Sequence, residues 1–375
     1  MPVKTGAQAW YANGFAQLQG MRIGFVANQT ATIDEGLSTL EALIAAPDIR
    51  VETLFGPEHG AFGSFDENVP DLVEPSTNLP IRSLYGTSRK PAPDDLTGLD
   101  ALLFEMQDIG ARFYTYASTL GLCLEACSER GIPLIVLDRP NPITGMHFEG
   151  PLADPERLSF TAYHTIPIRH GLTLGELAKL YAIEKHCEHA LRVAACTGYT
   201  RQMWFDETGL PWRNPSPAMR NLEAATLYPG VCLLEQTNFS VGRGTDAPFQ
   251  VAGAPYVKSE PWIAALERER LPGVQFEPCR FTPALREFAG EQCNGIRMAV
   301  TARDELDAVR LGVTLITTLR DVFPEKFDPS GAIKLLANQK TFDAIAGGRD
   351  AKAVCATWRD DLAAWESRRK PALLY

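Results

Sequence analysis

The chain has 375 residues, with 36 Lys and Arg against 46 Asp and Glu, a net charge of −10 and 45% hydrophobic side chains. At about 150 residues per domain, this length allows two or three domains with a full core, and the composition is too apolar for disorder. The acidic balance argues against a general nucleic-acid binder, which needs a basic footprint, and no apolar run approaches the roughly 20 residues of a membrane span.

The first 140 residues repeat one pattern of short β-rich run, polar turn and helix. Residues 22–27 (RIGFVA) read as a buried strand ending in Asn28-Gln29-Thr30, with a helical stretch through residues 40–44 behind it. Residues 51–55 form the next strand and empty into Gly56-Pro57-Glu58-His59-Gly60. Residues 101–104 are a third, followed by Glu105-Met106-Gln107-Asp108 and a long helix through 116–127 that Gly131 closes. Residues 133–137 are a fourth, ending in Asp138-Arg139-Pro140-Asn141. Strands alternating with helices predict an α/β fold, a doubly wound parallel sheet occupying residues 1–155.

From about residue 150 the texture changes. Thr173 and Glu176 form a capping box that opens a helix through 177–181, and residues 191–195 are strand-like. Residues 204–256 are rich in Pro and Gly with little periodicity, so an irregular and functional segment is expected there. Regular structure returns as a strand over 295–300, a helix over 306–323 and a helical tail around Trp358 and Trp365. A second, smaller α+β domain over 156–375 is expected to complete a cleft.

Open parallel sheets bind ligands outside the carboxyl ends of their strands. Each strand of the first half empties there into polar loops fixed by Gly or Pro, so a site assembled from several strand ends is expected. Glu58 and His59 are an acid–imidazole pair held between Gly and Pro, a setting suited to general acid–base work. The connection from Glu105 to Tyr116 carries Gln107, Asp108, Arg112, Tyr114 and Tyr116, groups that hold a sugar or a carboxylate. Asp138, Arg139 and Asn141 sit on a loop stiffened by Pro140 and Pro142, with Glu149 and Arg169 further on. In the second half, Glu235, Asn238, Arg243 and Asp246 share a Gly-rich loop expected to face substrate.

Other chemistries lack support. There is no phosphate loop, no Gly-x-Gly-x-x-Gly after the first strand and no Gly-x-Ser-x-Gly elbow, so no cofactor is expected. The six His show no metal spacing, and no metal is expected. Eight cysteines without a Cys-x-x-Cys read as small buried apolar residues in a reducing compartment. Together with the missing signal peptide they favour the cytoplasm, the alternative being a periplasmic or secreted, signal-trimmed chain.

The residues also carry a resemblance. Residues 24–30 (GFVANQT), 55–60 (FGPEHG), 106–119, 137–142 (LDRPNP) and 168–178 (IRHGLTLGELA) resemble the exo-β-N-acetylmuramidases, a bacterial family of peptidoglycan-fragment glycoside hydrolases. The likeness continues through 214–217 (NPSP), 228–230 (YPG), 237–245 (TNFSVGRGT) and 253–256 (GAPY), in fixed order over nearly the whole chain. It implies a Rossmann-like domain joined to a smaller one, with the cleft at their interface. It implies release of N-acetylmuramic acid from the non-reducing end of peptidoglycan fragments, a part in cell wall recycling, and Glu58 as catalytic acid/base. The substrate is then a muropeptide or amino-sugar disaccharide. Ala218, Arg220, Gln236 and Val241 depart from the family's usual residues in loops expected to face the cleft.

In the mechanism this implies, Glu58 protonates the departing glycosidic oxygen. A second carboxylate (Asp108, Glu149 or Glu235) or the substrate's 2-acetamido oxygen then completes the reaction. The lactyl carboxylate calls for a cation, with Arg112, Arg139, Arg169 and Arg243 the candidates. The alternatives are a catalytically altered glycan-binding protein and a glycosidase of shifted sugar specificity.

Overall fold

The computed structural model describes residues 2–63, 70–86 and 88–375. Its centre is a seven-stranded sheet built from β1 (Arg22–Ala27), β2 (Arg50–Gly56), β3 (Leu72–Val73), β4 (Pro80–Ser83), β5 (Ala101–Glu105), β6 (Leu134–Leu137) and a later strand. The strand order is β3-β4-β2-β1-β5-β6 and then that later strand. Every pairing is parallel except β3 with β4. The central strand β5 is buried on both faces. Leu102 and Phe104 enter one apolar cluster, and Ala101 and Leu103 the other, the two-residue alternation of a sheet covered on both sides.

Helices complete the covering. Helix α1 (Gly6–Tyr11) and α2 (Thr39–Ala45) each begin with a capping box, Thr5 with Gln8 and Ser38 with Glu41. Helix α3 (Tyr116–Arg130) ends at Gly131, whose φ of 70° lets its N–H reach the carbonyls of Cys127 and Ser128. A two-stranded ribbon, β7 (Glu149–Leu152) with β8 (Pro167–Arg169), follows β6. Helix α4 (Leu174–Glu184) opens on the expected Thr173–Glu176 box and leads to β9 (Leu191–Ala194), the seventh strand. The sheet therefore draws a strand from beyond residue 155, because the chain makes one more crossover through α4 before leaving it.

The second half packs helices on a three-stranded antiparallel sheet. Helix α5 (Leu222–Val231) precedes β10 (Val251–Ala254), α6 (Ser259–Arg268), β11 (Val274–Phe281), β12 (Cys293–Val300) and α7 (Ala308–Val322). The order is β10-β12-β11. Part of the stretch expected to be irregular is thus regular. Asn221 caps α5, and the helix runs through Pro229 because it crosses α7 at a glycine pair. A Cβ on Gly230 would lie 1.8 Å from the Ala308 carbonyl oxygen, and one on Gly312 2.3 Å from that of Gly230. Backbone contact at this crossing offsets the hydrogen bond that proline cannot donate.

The tail includes α8 (Ile333–Leu336), α9 (Gln339–Ala346), α10 (Ala351–Cys355) and α11 (Arg359–Arg369), and it returns to the first sheet. Arg369 donates to the carbonyls of Gly145 and Gly171 at 3.1 and 3.0 Å, and the Tyr375 hydroxyl donates to Asp138 at 2.7 Å. The carboxyl terminus thereby braces loops at the ends of the parallel strands. No helix among the described residues is long and apolar enough to cross a membrane.

Candidate active site

The loop after β2 is shaped by its own sequence. A Cβ on Gly56 would meet the backbone nitrogen of Ala61 at 2.9 Å, so only glycine allows the chain to fold back there. His59 (φ 70°) and Gly60 (φ 77°) are both left-handed, and the Gly60 N–H closes on the Pro57 carbonyl at 2.8 Å. This turn holds Glu58 half-buried in the wall of a cavity of about 700 Å³, within the roughly 300–1,000 Å³ usual for small-ligand sites.

One hydroxyl holds the Glu58 carboxylate and a phenol lies beside it. Thr115, at the start of α3, donates to its Oε2 at 2.5 Å. Tyr85, just past β4, is the phenol: burial and then its interaction with Glu58 push it up to about 12. Tyr85 is therefore a donor throughout the physiological range. Behind them lie Tyr114 and Tyr116, edge to face at 4.9 Å, both pushed up chiefly by burial, with the Glu58 charge contributing.

The second half supplies the opposite wall. Tyr228, Cys232, Glu235, Gln236 and Arg243 line the cavity, with Arg286 and Lys334. Glu235 and Arg243 face each other as a fork: the Arg243 Nε contacts Oε1, and Nη2 donates to Oε2 at 3.0 Å. Burial alone would push the Arg243 guanidinium down, but Glu235 outweighs it and holds it up. The two halves are stitched together beside the cavity, where the Tyr116 hydroxyl donates to the Pro215 carbonyl at 2.6 Å and accepts from Asn28 at 2.9 Å.

Of the residues singled out from the sequence, Glu58, His59, Tyr114, Tyr116, Glu235 and Arg243 line this cavity. The rest stand outside its lining. Asn28 accepts from Thr30, whose hydroxyl receives the N–H of Gln107, and Gln107 bonds the carbonyls of Asp108 and Pro140. Asp138 is fully buried and accepts from Arg139 N, Gly175 N, Thr173 and Tyr375. Asn141 bridges Leu172 and Ile143. Asp108 caps the Gly110 N–H and lies 3.4 Å from His170. Asn238 bonds Lys326 and Asp328, and Asp246 is exposed away from the cavity.

The cations expected to greet an anionic sugar need correction. Arg112 is buried and donates to four backbone carbonyls, those of Pro151, Ile166, Leu335 and Leu336, at 2.7–3.0 Å. Arg139 pairs with buried Glu105 at 2.7 Å, and Arg169 with Glu149 at 2.5 Å. The Nη donors of Arg112 and Arg169 are spent inside the protein, and their Nε atoms, which have no partner, are themselves buried, so neither guanidinium offers an accessible donor to substrate. Glu149 is likewise engaged, its other oxygen accepting the Val309 N–H at 3.2 Å. The departures at 218, 220, 236 and 241 also divide: Gln236 lines the cavity, Val241 is core, and Ala218 and Arg220 stand outside the lining.

Sequence reasoning missed Tyr85, Arg89, Thr115 and Arg286. Tyr85 and Arg89 follow the four-residue strand β4, too short for a periodicity signal. Thr115 stands at the entry to α3, a position where hydroxyl residues are common and point outward. Arg286 sits in a turn between β11 and β12 with no pattern of its own. Each of the eight cysteines is a free thiol, and among the described residues no cluster of His, Cys, Asp and Glu could hold a metal ion.

Comparison with known proteins places this geometry. Residues 23–223 match the N-terminal family model of the exo-β-N-acetylmuramidase NamZ, and residues 226–375 match its C-terminal model. The chain is 39% identical, over its whole length and 91% of the relative's, to the peptidoglycan β-N-acetylmuramidase NamZ of Bacillus subtilis. Two crystal structures of DUF1343 family proteins from Bacteroides fragilis superpose with TM-scores of 0.93 and 0.82, each at 30% identity over all of this chain and 99% of theirs. With both family models matched in order and a full-length relative at this identity, the chain belongs to the exo-β-N-acetylmuramidase NamZ family.

Proposed function

We propose that this protein is a glycoside hydrolase that releases N-acetylmuramic acid from the non-reducing end of peptidoglycan fragments, with Glu58 as its general acid and base. The observation that carries the assignment to Glu58 is a contrast between two carboxylates in one cavity. Glu235 is locked in a two-pronged pair with Arg243, whereas Glu58 accepts from the Thr115 hydroxyl, lies beside the Tyr85 phenol and, among the described residues, has no ion pair. A carboxyl among neutral donors is free to work on a substrate proton; one forked with a guanidinium has both oxygens engaged.

In this reading Glu58 protonates the glycosidic oxygen as the bond to the anomeric carbon breaks. Both Glu235 oxygens are occupied by Arg243, which favours the 2-acetamido oxygen as the internal nucleophile. That attack gives a cyclic oxazolinium, and Glu58, now a carboxylate, takes a proton from the water that opens it. Thr115 holds Glu58 in place beside Tyr85 in both steps, and the tyrosine wall excludes bulk water. We place the division between the two halves near residue 224, a reading supported by the two matched family regions and by β9 lying in the first sheet.

The test is hydrolysis of N-acetylmuramyl–N-acetylglucosamine, whose leaving alcohol needs a proton. Glu58→Gln is expected to fold normally and lose most turnover, by roughly 10²–10⁴-fold. Near-normal turnover in that variant would remove Glu58 from the mechanism.

A further inference from the structure

An anionic sugar needs a cation in the cleft, and the three buried arginines do not serve. The cavity has others. Arg89 and Arg286 both line it, both are exposed, and among the described residues neither has an ion-pair partner. They come from opposite halves of the protein, Arg89 from the loop after β4 and Arg286 from the turn between β11 and β12.

Their placement is specific. The Arg89 guanidinium lies 4.2 Å from the centre of the Phe160 ring and 6.0 Å from that of Tyr85, so stacking on the aromatic faces holds it in place. The Arg286 turn is closed by the Gly290 N–H on the Pro283 carbonyl at 2.8 Å. It is anchored to the cavity's other wall where the Leu285 N–H meets the Arg243 carbonyl at 3.4 Å. Both charges act on the Tyr85 hydroxyl and favour its ionised form, against burial and Glu58. Two cations with no ion-pair partner among the described residues thus line the cavity that holds the proposed acid, one from each half. Arg243, by contrast, is occupied by Glu235.

We propose that Arg89 and Arg286 form a two-sided clamp for the lactyl carboxylate of the sugar whose glycosidic bond is cut. The proposal rests on the functional reading above and adds the residues that give it its selectivity. The chemistry fits the placement. The lactyl ether is carried on the same ring as the anomeric carbon, so its carboxylate must lie near the acid that serves that carbon. An attached peptide converts that carboxyl into an amide and carries its own carboxylates many bonds further out, so the clamp reads the peptide-free sugar. Guanidinium groups match a carboxylate through paired N–H donors, and an N-acetylglucosaminide offers them nothing.

The test compares aryl N-acetylmuramide with its lactyl methyl ester, a nearly isosteric neutral analogue. Wild-type kcat/KM is expected to favour the acid by ~10–100-fold, the range for a charge-assisted contact. In Arg89→Met/Arg286→Met the acid-to-ester ratio is expected to fall to within about twofold of unity, carried mainly by KM, with each single variant between. The ratio is taken within one enzyme preparation, so partial unfolding cancels. A double variant that keeps the wild-type ratio, or a wild type that does not distinguish acid from ester, would overturn the clamp while leaving the hydrolase assignment standing. A wild type that hydrolyses neither compound would instead remove the functional reading beneath it.

Discussion

The loops after β2 and β6 look alike as sequence and behave differently as structure. Each follows a buried parallel strand, each is stiffened by proline, and each carries a carboxylate near the strand end, Glu58 in one and Asp138 in the other. Asp138 has no exposed surface and receives four hydrogen bonds, two from backbone N–H groups. Burial nevertheless dominates and pushes its carboxyl up to about 6. Glu58 is half-buried, accepts from the Thr115 hydroxyl beside the Tyr85 phenol and faces a cavity. Strand-end position brings a carboxylate to the right edge of the sheet. The partners around it decide whether it serves the framework or the chemistry.

Substitutions can break that distinction, and the largest effect is expected at Glu58. Glu58→Gln should lower kcat by roughly 10²–10⁴-fold while moving Tm by no more than about 2 °C, since it removes a proton donor and no buried network. Loss of activity together with a large loss of Tm would put Glu58 with Asp138. Arg112→Met should do the reverse. It strands four buried carbonyls that tie β7, β8 and α8 together, so chemical denaturation should show a loss of at least about 3 kcal/mol. Activity per folded molecule should stay within a few-fold. A stable Arg112→Met enzyme with a high KM would return Arg112 to the cleft.

Asp138 gives a pH signature. Its folded-state pKa is raised above the unfolded value of about 3.8, so the folded protein holds that proton more tightly. The stabilisation is fully present below about pH 4 and is lost as pH rises through about 6, an effect on the order of 2–3 kcal/mol. Asp138→Asn should lower stability at every pH, because an amide oxygen cannot accept from all four donors, yet remove this component of the slope. An unchanged slope in stability between pH 4 and 6 would contradict the assignment. The smallest effect is expected at Gln236, the family departure that lines the cavity: Gln236→Gly should shift kcat/KM between aryl glycosides by less than about tenfold, whereas Val241, in the core, should affect stability instead.

Much of the fold could be read from local pattern. Short apolar runs mark residues 22–27, 51–55, 101–104 and 133–137 as strands, and Gly131 and the Thr173–Glu176 box mark helix ends. What escaped depended on distant partners. Helix α5 runs through Pro229 because Gly312, more than 80 residues on, lets two backbones touch. Strands β3 and β4 have only two and four residues, with Pro80 at the start of β4. At the site, Glu58 was visible because its loop geometry is local. The arginines were misassigned because nothing near Arg112 in sequence says that its carbonyl partners sit 39 to 224 residues away. An arginine's role is set by which acceptors the fold brings to it, and among the described residues none pairs with Arg89 or Arg286.

The central claim is that the carboxylate held by a hydroxyl does the proton transfer and the one held by arginine does not. It is tested most directly by comparing Glu58→Gln and Glu235→Gln on two substrates: the natural-type N-acetylmuramyl–N-acetylglucosamine disaccharide, whose leaving alcohol needs a proton, and an aryl muramide with an acidic phenol, which needs one far less. Glu58→Gln should lose at least tenfold more activity on the disaccharide than on the aryl substrate, and Glu235→Gln should lose equally on both. Equal losses for Glu58→Gln, or leaving-group dependence appearing at Glu235 instead, would contradict the account.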